Sequence, residues 1–291
     1  NINMNNHLSS LQSLIINILT LYVKEVNTYI NSIKTNPKKN RLEFISDFMN
    51  TITLKIIEKT NELLFIKNIV LPDSDISIHK NGHITMTIKI IDSIDNMKNC
   101  TDFGCIISVI DKNNVIMAAA LKFSYLTELL ISKKGETELF YFNKKAFKKI
   151  SKVTIPKKGN NYLVDEGKQK SWTNYHIRQF LEKIKLNHTL IYSKSLVESF
   201  FHIMNNGGVF ISPADQDNIN GTIELVFEAI PLSFILTNSG GIAKNSIKPI
   251  LDIEIPNTKK KYKLMTSFIA GSVHELNKFK DVINPSLVFF E

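Results

Sequence analysis

Three acidic residues are set apart by what surrounds them. Asp92 and Asp95 lie three apart and follow a run in which Ile84, Met86, Ile88 and Ile90 alternate with Thr85, Thr87 and Lys89, the period of a half-buried strand. Two aspartates at the carboxyl end of a strand can turn both carboxylates, and the Ile94 carbonyl between them, toward one point. Hard cations such as Mg2+ are held in that way. A cation so placed polarises a phosphoryl group and lowers the pKa of a bound water, so metal-assisted hydrolysis of a phosphate ester is the chemistry the pair could do. Asp-x-x-Asp also closes ordinary turns, and the spacing alone leaves both readings open. The third residue, Glu228, sits where one apolar run hands over to another. A carboxylate in that setting needs a partner.

The elements that must position these residues can be read along the chain. Around Glu228 the order is strand, turn, strand, helix and stop: 209–212 and the apolar run 223–227 form a hairpin about the polar turn 215–221, Pro231 suits a first helical turn, and Gly240-Gly241 ends the helix. Ser9 and Ser10 can cap a long amphipathic helix carrying Leu11, Leu14, Ile15, Ile18, Tyr22, Val26, Tyr29 and Ile33, and a second helix follows from Leu42 to Leu63. A short strand, 66–71, leads to Pro72-Asp73-Ser74-Asp75. After Asp95 come a strand pair about the turn 111–114, a helix or strand through 121–131, and a strand at 138–142. Further strands are expected at 249–255 and 262–270, with a helix at 195–205 and another after Gly271-Ser272. At 291 residues and 43% hydrophobic, the chain is long enough for one large or two ordinary domains. The polar stretch 157–161 divides it into 1–158, carrying Asp-x-x-Asp, and 159–291, carrying Glu228.

These motifs resemble the fructose-1,6-bisphosphatase family. Phe227-Glu228-Ala229-Ile230-Pro231 is similar to that family's Tyr-Glu-Cys-Asn-Pro, Asp92-Ser93-Ile94-Asp95 to its Asp-Pro-Leu-Asp, and Tyr162-Leu-Val-Asp165-Glu166-Gly167-Lys168 to its Leu-Asn-Glu-Gly-Tyr. Leu251-Asp-Ile and Ala270-Gly271-Ser272 add to the likeness, which reaches back weakly to residue 9. The resemblance implies an α/β fold, a layered α-β-α-β-α sandwich. It also implies a Mg2+ shell of Asp73, Asp92, the Ile94 carbonyl, Asp95 and Glu228, with Asp73, Asp92 and Asp95 as the catalytic residues of an active enzyme. Substrate contacts would fall to Lys98, Asp165, Lys168 and Tyr192.

Departures from the family pattern run through the same motifs. Ser74 stands where a second acid handles the proton of the attacking water, and Asn96-Met97-Lys98 stands in place of the Gly-Ser-Ser that cradles the leaving phosphate. Met97 cannot donate a hydrogen bond. Asp165, Lys168, Ile191, Ser212 and Thr222 replace residues that hold the distal phosphate in the family. The expectation is therefore a fructose-1,6-bisphosphatase-like protein with an eroded site, weak or inactive as a phosphatase and retained as a structural or interaction subunit. The alternative is an active Mg2+-dependent sugar phosphatase of altered specificity, with a sugar phosphate as substrate.

Charge gives the first of these a surface. The net charge is +9, and residues 133–170 hold eleven lysines against four acids. This segment is expected to dock a protein or RNA partner. Cys100 and Cys105 are the only cysteines and lack metal-site spacing, so reduced thiols of an intracellular protein, cytoplasmic or organellar, are expected. No apolar run reaches membrane-spanning length. The first residue is Asn1, which leaves room for a leader, and an oligomer is compatible with everything above.

Overall fold

Leu11, Ile15, Ile18, Tyr22, Val26 and Tyr29 recur every three or four residues, and all lie on one buried face of helix α1 (Ile2–Thr35). In the computed structural model, which describes residues 2–38, 40–256 and 258–283, this helix starts before Ser9 and Ser10, which lie inside it. Leu8 already packs on the core, so the stripe extends the helix past the expected cap. Asn40 caps α2 (Arg41–Thr60), its side chain accepting from the Leu42 N–H at 3.1 Å. Residues 284–291, the end of the second domain expected from sequence, lie outside the described residues.

The chain divides into two units. Asn1–Lys134, Glu138–Lys152 and Lys194–Val197 form the first. Its sheet contains β1 (Ile66–Leu71), β2 (Ser74–Ser77), β3 (Ile84–Lys89), β4 (Phe103–Asp111), β5 (Asn114–Phe123), β6 (Glu128–Lys133), most of β7 (Glu136–Phe142) and β8 (Phe147–Lys152), in the order β2-β1-β3-β4-β5-β6-β7-β8. A short helix, α3 (Ile94–Lys98), joins β3 to β4. Along β3, Ile84, Met86 and Ile88 are buried in the core that α1 and α2 also line, while Thr87 on the opposite face is buried as well, its hydroxyl 2.7 Å from that of Ser108, so the strand is not half-exposed as expected. The helix-or-strand choice for 121–131 falls to strand, with β5 paired to β6 from Met117↔Lys133 to Lys122↔Glu128. β8 is the exposed edge, and even Ile150 is 49% exposed on it.

Gly135–Thr137, Val153–Ser193 and Glu198–Glu291 form the second unit. It holds β9 (Asn161–Leu163), α4 (Tyr175–Lys185), β10 (Thr189–Ile191), most of α5 (Leu196–Asn206), β11 (Val209–Ser212), β12 (Ile223–Glu224), α6 (Ile230–Asn238), β13 (Ile242–Lys244), β14 (Met265–Thr266), β15 (Phe268–Gly271) and α7 (Val273–Ile283). Five strands form a sheet in the order β10-β9-β11-β15-β13, and β12 pairs with β14 apart from it. The expected hairpin of 209–212 with 223–227 is therefore absent, because β11 instead pairs with β9 and β15. Residues 249–255 contain a 3-10 turn, Ile250–Asp252, and Lys259–Lys263 forms another before β14. Gly208 makes the close packing possible: its φ is +102° and a Cβ there would lie 2.1 Å from the Asn161 carbonyl oxygen. No described helix is long and apolar enough to cross a membrane.

Candidate functional site

Asp92 lies just beyond β3 and its carboxylate is an anchor for three donors. Oδ1 accepts from the Gly104 N–H at 2.6 Å, while Oδ2 accepts from the Ser195 hydroxyl at 2.6 Å and the Val197 N–H at 2.9 Å. Ser195 precedes α5 and Val197 is in its first turn, so Asp92 supplies from a hundred residues away the acceptor that a helix start requires. The Asp92 N–H completes a two-way link with Gly104 by donating to its carbonyl at 3.0 Å. Burial pushes the Asp92 pKa above the ordinary aspartate range, and the bonds from Ser195, Val197 and Gly104 and the Lys89 charge draw it back only in part.

The residues after Asp92 fold inward. Ser93 caps α3, accepting from the Asn96 N–H. Met97 is fully buried in the core, and the Asn96 side chain donates to the Asp102 carbonyl at 2.6 Å. This is helix, where a phosphate-cradling loop would need free N–H groups facing out. Ile94 belongs to its first turn. Asp95 and Lys98 stay exposed; the Lys194 ammonium lies 3.4 Å from Asp95, and the Lys98 carbonyl accepts from Arg41 at 2.7 Å. Lys89, Asp92, Asp95 and Lys194 border an open cleft of about 440 Å3, so two ammonium groups share it with two carboxylates.

Asp73 is exposed in the tight turn joining β1 to β2, with Ser74 opening β2 opposite Leu71. Because β1 runs parallel to β3, Asp73 and Asp92 follow the carboxyl ends of neighbouring strands, on the same edge of the sheet. Nothing in the sequence announced β2, whose residues carry no apolar alternation. Lys194, Ser195 and Gly104 were missed as well, since no local motif links them to Asp92 or Asp95.

In the second unit Glu228 is buried within a π-helical turn, Leu225–Ala229, that leads into α6. Pro231 explains the wide turn, because it has no N–H for the Phe227 carbonyl and its ring would crowd that carbonyl in a regular helix. The expected strand thus ends at Glu224. The Glu228 carboxylate accepts from the Glu224 N–H at 2.9 Å, which supplies the partner its setting demands. Asp165 and Lys168 are exposed at and just after the start of a 3-10 turn. Tyr192 is 58% exposed after β10. The Ser212 and Thr222 hydroxyls lie 3.2 Å apart.

A divalent cation needs carboxylate lone pairs directed at one point. Asp92 spends three of its acceptor positions on its own unit, Asp95 stands beside an ammonium, and Ile94 is in a helix. Among the described residues no three His, Cys, Asp or Glu side chains gather in a metal-holding group. As they stand, these donors do not fit Mg2+.

Residues 155–284 match the family described as fructose-1-6-bisphosphatase, C-terminal domain. A class 1 fructose-1,6-bisphosphatase of Sulfurihydrogenibium sp. is 31% identical over 132 residues, 45% of this chain and 40% of that protein. A cytosolic fructose-1,6-bisphosphatase of a Saccharum hybrid is 35% identical over 107 residues, covering 35% and 31% of the two chains. The matched stretch thus spans less than half of these curated relatives. The fold match is wider: the crystal structure of Leishmania major fructose-1,6-bisphosphatase in holo form aligns with a TM-score of 0.82 at 18% identity over 93% of each chain. Its T-state gives 0.81 at 19% identity over 95% of this chain and 93% of that one. The sequence likeness thus places residues 155–284 in the fructose-1-6-bisphosphatase C-terminal domain family, and the layered α/β fold is shared with fructose-1,6-bisphosphatase structures over nearly the whole length.

Proposed function

We propose that this protein keeps the fructose-1,6-bisphosphatase fold with its hydrolytic chemistry eroded, and serves as a structural or interaction subunit. The observation that carries the reading is the three-donor coordination of Asp92 by Gly104, Ser195 and Val197, which commits a metal-ligand position to anchoring a helix. Ser74 in place of an acid removes a base for water, and a side-chain base is worth roughly 10²–10⁴ in rate. The partner surface is the basic strand β8 with the turn before it, where Lys144, Lys145, Lys148, Lys149 and Lys152 are all exposed. Such a surface suits an acidic partner.

The competing reading is a Mg2+-dependent sugar phosphatase of altered specificity. It draws on Asp73 and Asp92 following neighbouring parallel strands and on Glu228 in its π-turn. A phosphate-release assay with fructose-1,6-bisphosphate and saturating Mg2+ separates the two. Little or no release is expected; turnover on the order of 1–10³ per second would make the protein a working enzyme and end the subunit reading.

A further inference from the structure

In the second unit, the start of α4, the turns after β11 and β13, and strand β14 border an open cleft of about 900 Å3. All of its lining belongs to that unit. Asp165, Lys168, Tyr192, Ser212 and Thr222, the positions of substrate and phosphate contacts in the family, do not line it. The volume falls within the range of about 300–1,000 Å3 found for ligand sites.

Two asparagines give the cleft fixed donors. Asn174 caps α4, its Oδ1 accepting from the His176 N–H at 2.9 Å and the Ile177 N–H at 3.3 Å. Asn245 closes the turn after β13 in the same way, its Oδ1 accepting from the Ile247 and Lys248 N–H groups at 2.8 Å each. Backbone donors hold both oxygens, which sets the orientation of each amide. Each NH2 is left with two donors, and among the described residues neither has an acceptor.

The rim of the cleft is apolar. Ile247 is 85% and Ile219 75% exposed, and Tyr175 and Met265 are exposed beside the same cleft. Large apolar side chains scattered singly over a surface are ordinary, but gathered around a concavity they mark a binding site. Charge is close to balanced, since the lining holds one acid, Glu254, and one lysine, Lys263, together with His176. The matching ligand is uncharged, with acceptors and apolar branches on a regular spacing. An extended polypeptide has both: main-chain carbonyls for the amides, and alternate side chains on one face, about 6.6 Å apart, for the rim. A saccharide would use the amide donors equally well, but the aliphatic Ile219, Ile247 and Met265 offer its hydroxyls nothing.

We propose that this cleft docks an uncharged, extended peptide segment of a partner protein. Asn174 and Asn245 donate to its main-chain carbonyls, and Ile219, Ile247 and Met265 receive its apolar side chains. The site uses none of the residues behind the eroded-phosphatase reading, so a phosphate-release result leaves it untouched.

The test titrates the full chain with an acetylated, amidated pentapeptide of alternating Val and Thr, while ¹⁵N spectra follow backbone amides and asparagine NH2 groups. Maltotriose runs in parallel. Saturable peptide-induced shifts of the Asn174 and Asn245 NH2 signals are expected. Asn174→Asp and Asn245→Asp each keep an oxygen for the backbone N–H groups and remove the donors, so the fold, checked by circular dichroism, is retained. Each should weaken peptide binding several-fold to about tenfold, the loss of one hydrogen bond. Ile247→Ser, at an exposed position, should weaken it several-fold. No saturable shift with the peptide, unchanged affinity in both asparagine variants, or tighter binding of maltotriose would each overturn the proposal.

Discussion

If Asp92 is an anchor, truncating it should cost stability that no ion restores. Asp92→Ala removes the acceptor for the Gly104 N–H, Ser195 hydroxyl and Val197 N–H. Gly104, Ser195 and Val197 are all buried, so water cannot readily replace the carboxylate. Each orphaned donor costs about 1–3 kcal/mol, while removal of a half-buried charge beside an open cleft returns part of the sum, leaving an expected loss of about 3–5 kcal/mol. Against a total stability of about 5–15 kcal/mol, that is a substantial fraction. Asp92→Asn should lose less, about 2–3 kcal/mol, because its amide oxygen still accepts but its NH2 must face a donor. Ser195→Ala should lose about 1.5–3 kcal/mol, the value of one hydrogen bond to a charged group. Urea unfolding followed by circular dichroism, with and without MgCl2, reads all three. A loss under 1 kcal/mol for Asp92→Ala would refute the anchor. So would a rise in melting temperature with Mg2+ that Asp92→Asn abolishes, since a ligand that binds only the native state raises its stability.

Three further outcomes follow from buried contacts. Rebuilding the family's loop with Asn96→Gly and Met97→Ser should cost about 3–5 kcal/mol rather than revive catalysis, since Met97 is a fully buried core residue and large-to-small core changes cost 2–5 kcal/mol; thermal unfolding checks it. Gly208→Ala should abolish soluble expression or lower the melting temperature by more than 10 °C, because φ is +102° and the added methyl would meet the Asn161 carbonyl at 2.1 Å. Glu138 is 4% exposed. Burial would raise its pKa, but bonds from Lys149 and Gln12 and the Lys133 charge outweigh that and hold it below the ordinary carboxylate value. Its stabilisation is therefore complete above the unfolded value of about 4.3 and lost as pH falls through the lower folded value. Glu138→Gln should flatten stability against pH in that acid window, and an unchanged acid limb would contradict the sign.

The parts legible in the sequence were those in which one periodic face meets one core. The α1 stripe and the apolar face of β3 needed nothing beyond their own spacing. β2 was hidden because its backbone pairs with β1 while its side chains mostly face solvent, so no apolar pattern marks it. Ile223–Phe227 reads as a strand because a short buried apolar run looks the same in helix and sheet; Pro231 was placed correctly as a helix opener, but the preceding π-turn was not foreseen. Met97 was read as a lost donor in a polar loop, whereas its burial turns that loop into a helix. Asp92 reads from sequence as a metal ligand at a strand end, and nothing local marks it as a helix anchor. Its partners, Ser195 and Val197, lie beyond any local motif, and only the folded chain brings them together.

Strand β8 also bears on how the molecule behaves in a crowded solution. It ends an eight-stranded sheet with its outer backbone edge unpaired within that sheet, the kind of edge on which proteins aggregate. Two copies meeting β8 to β8 would bring the five lysines between residues 144 and 152 of each copy to a strand spacing of about 4.8 Å. Lys149 is partly neutralised by Glu138, but Lys144, Lys145 and Lys148 still repel their counterparts. That guard reaches about 8 Å at physiological ionic strength and shrinks to about 3 Å in 1 M salt. Concentrated salt therefore lowers the barrier to pairing at this edge, and dilute buffer is the condition in which β8 strands are held apart.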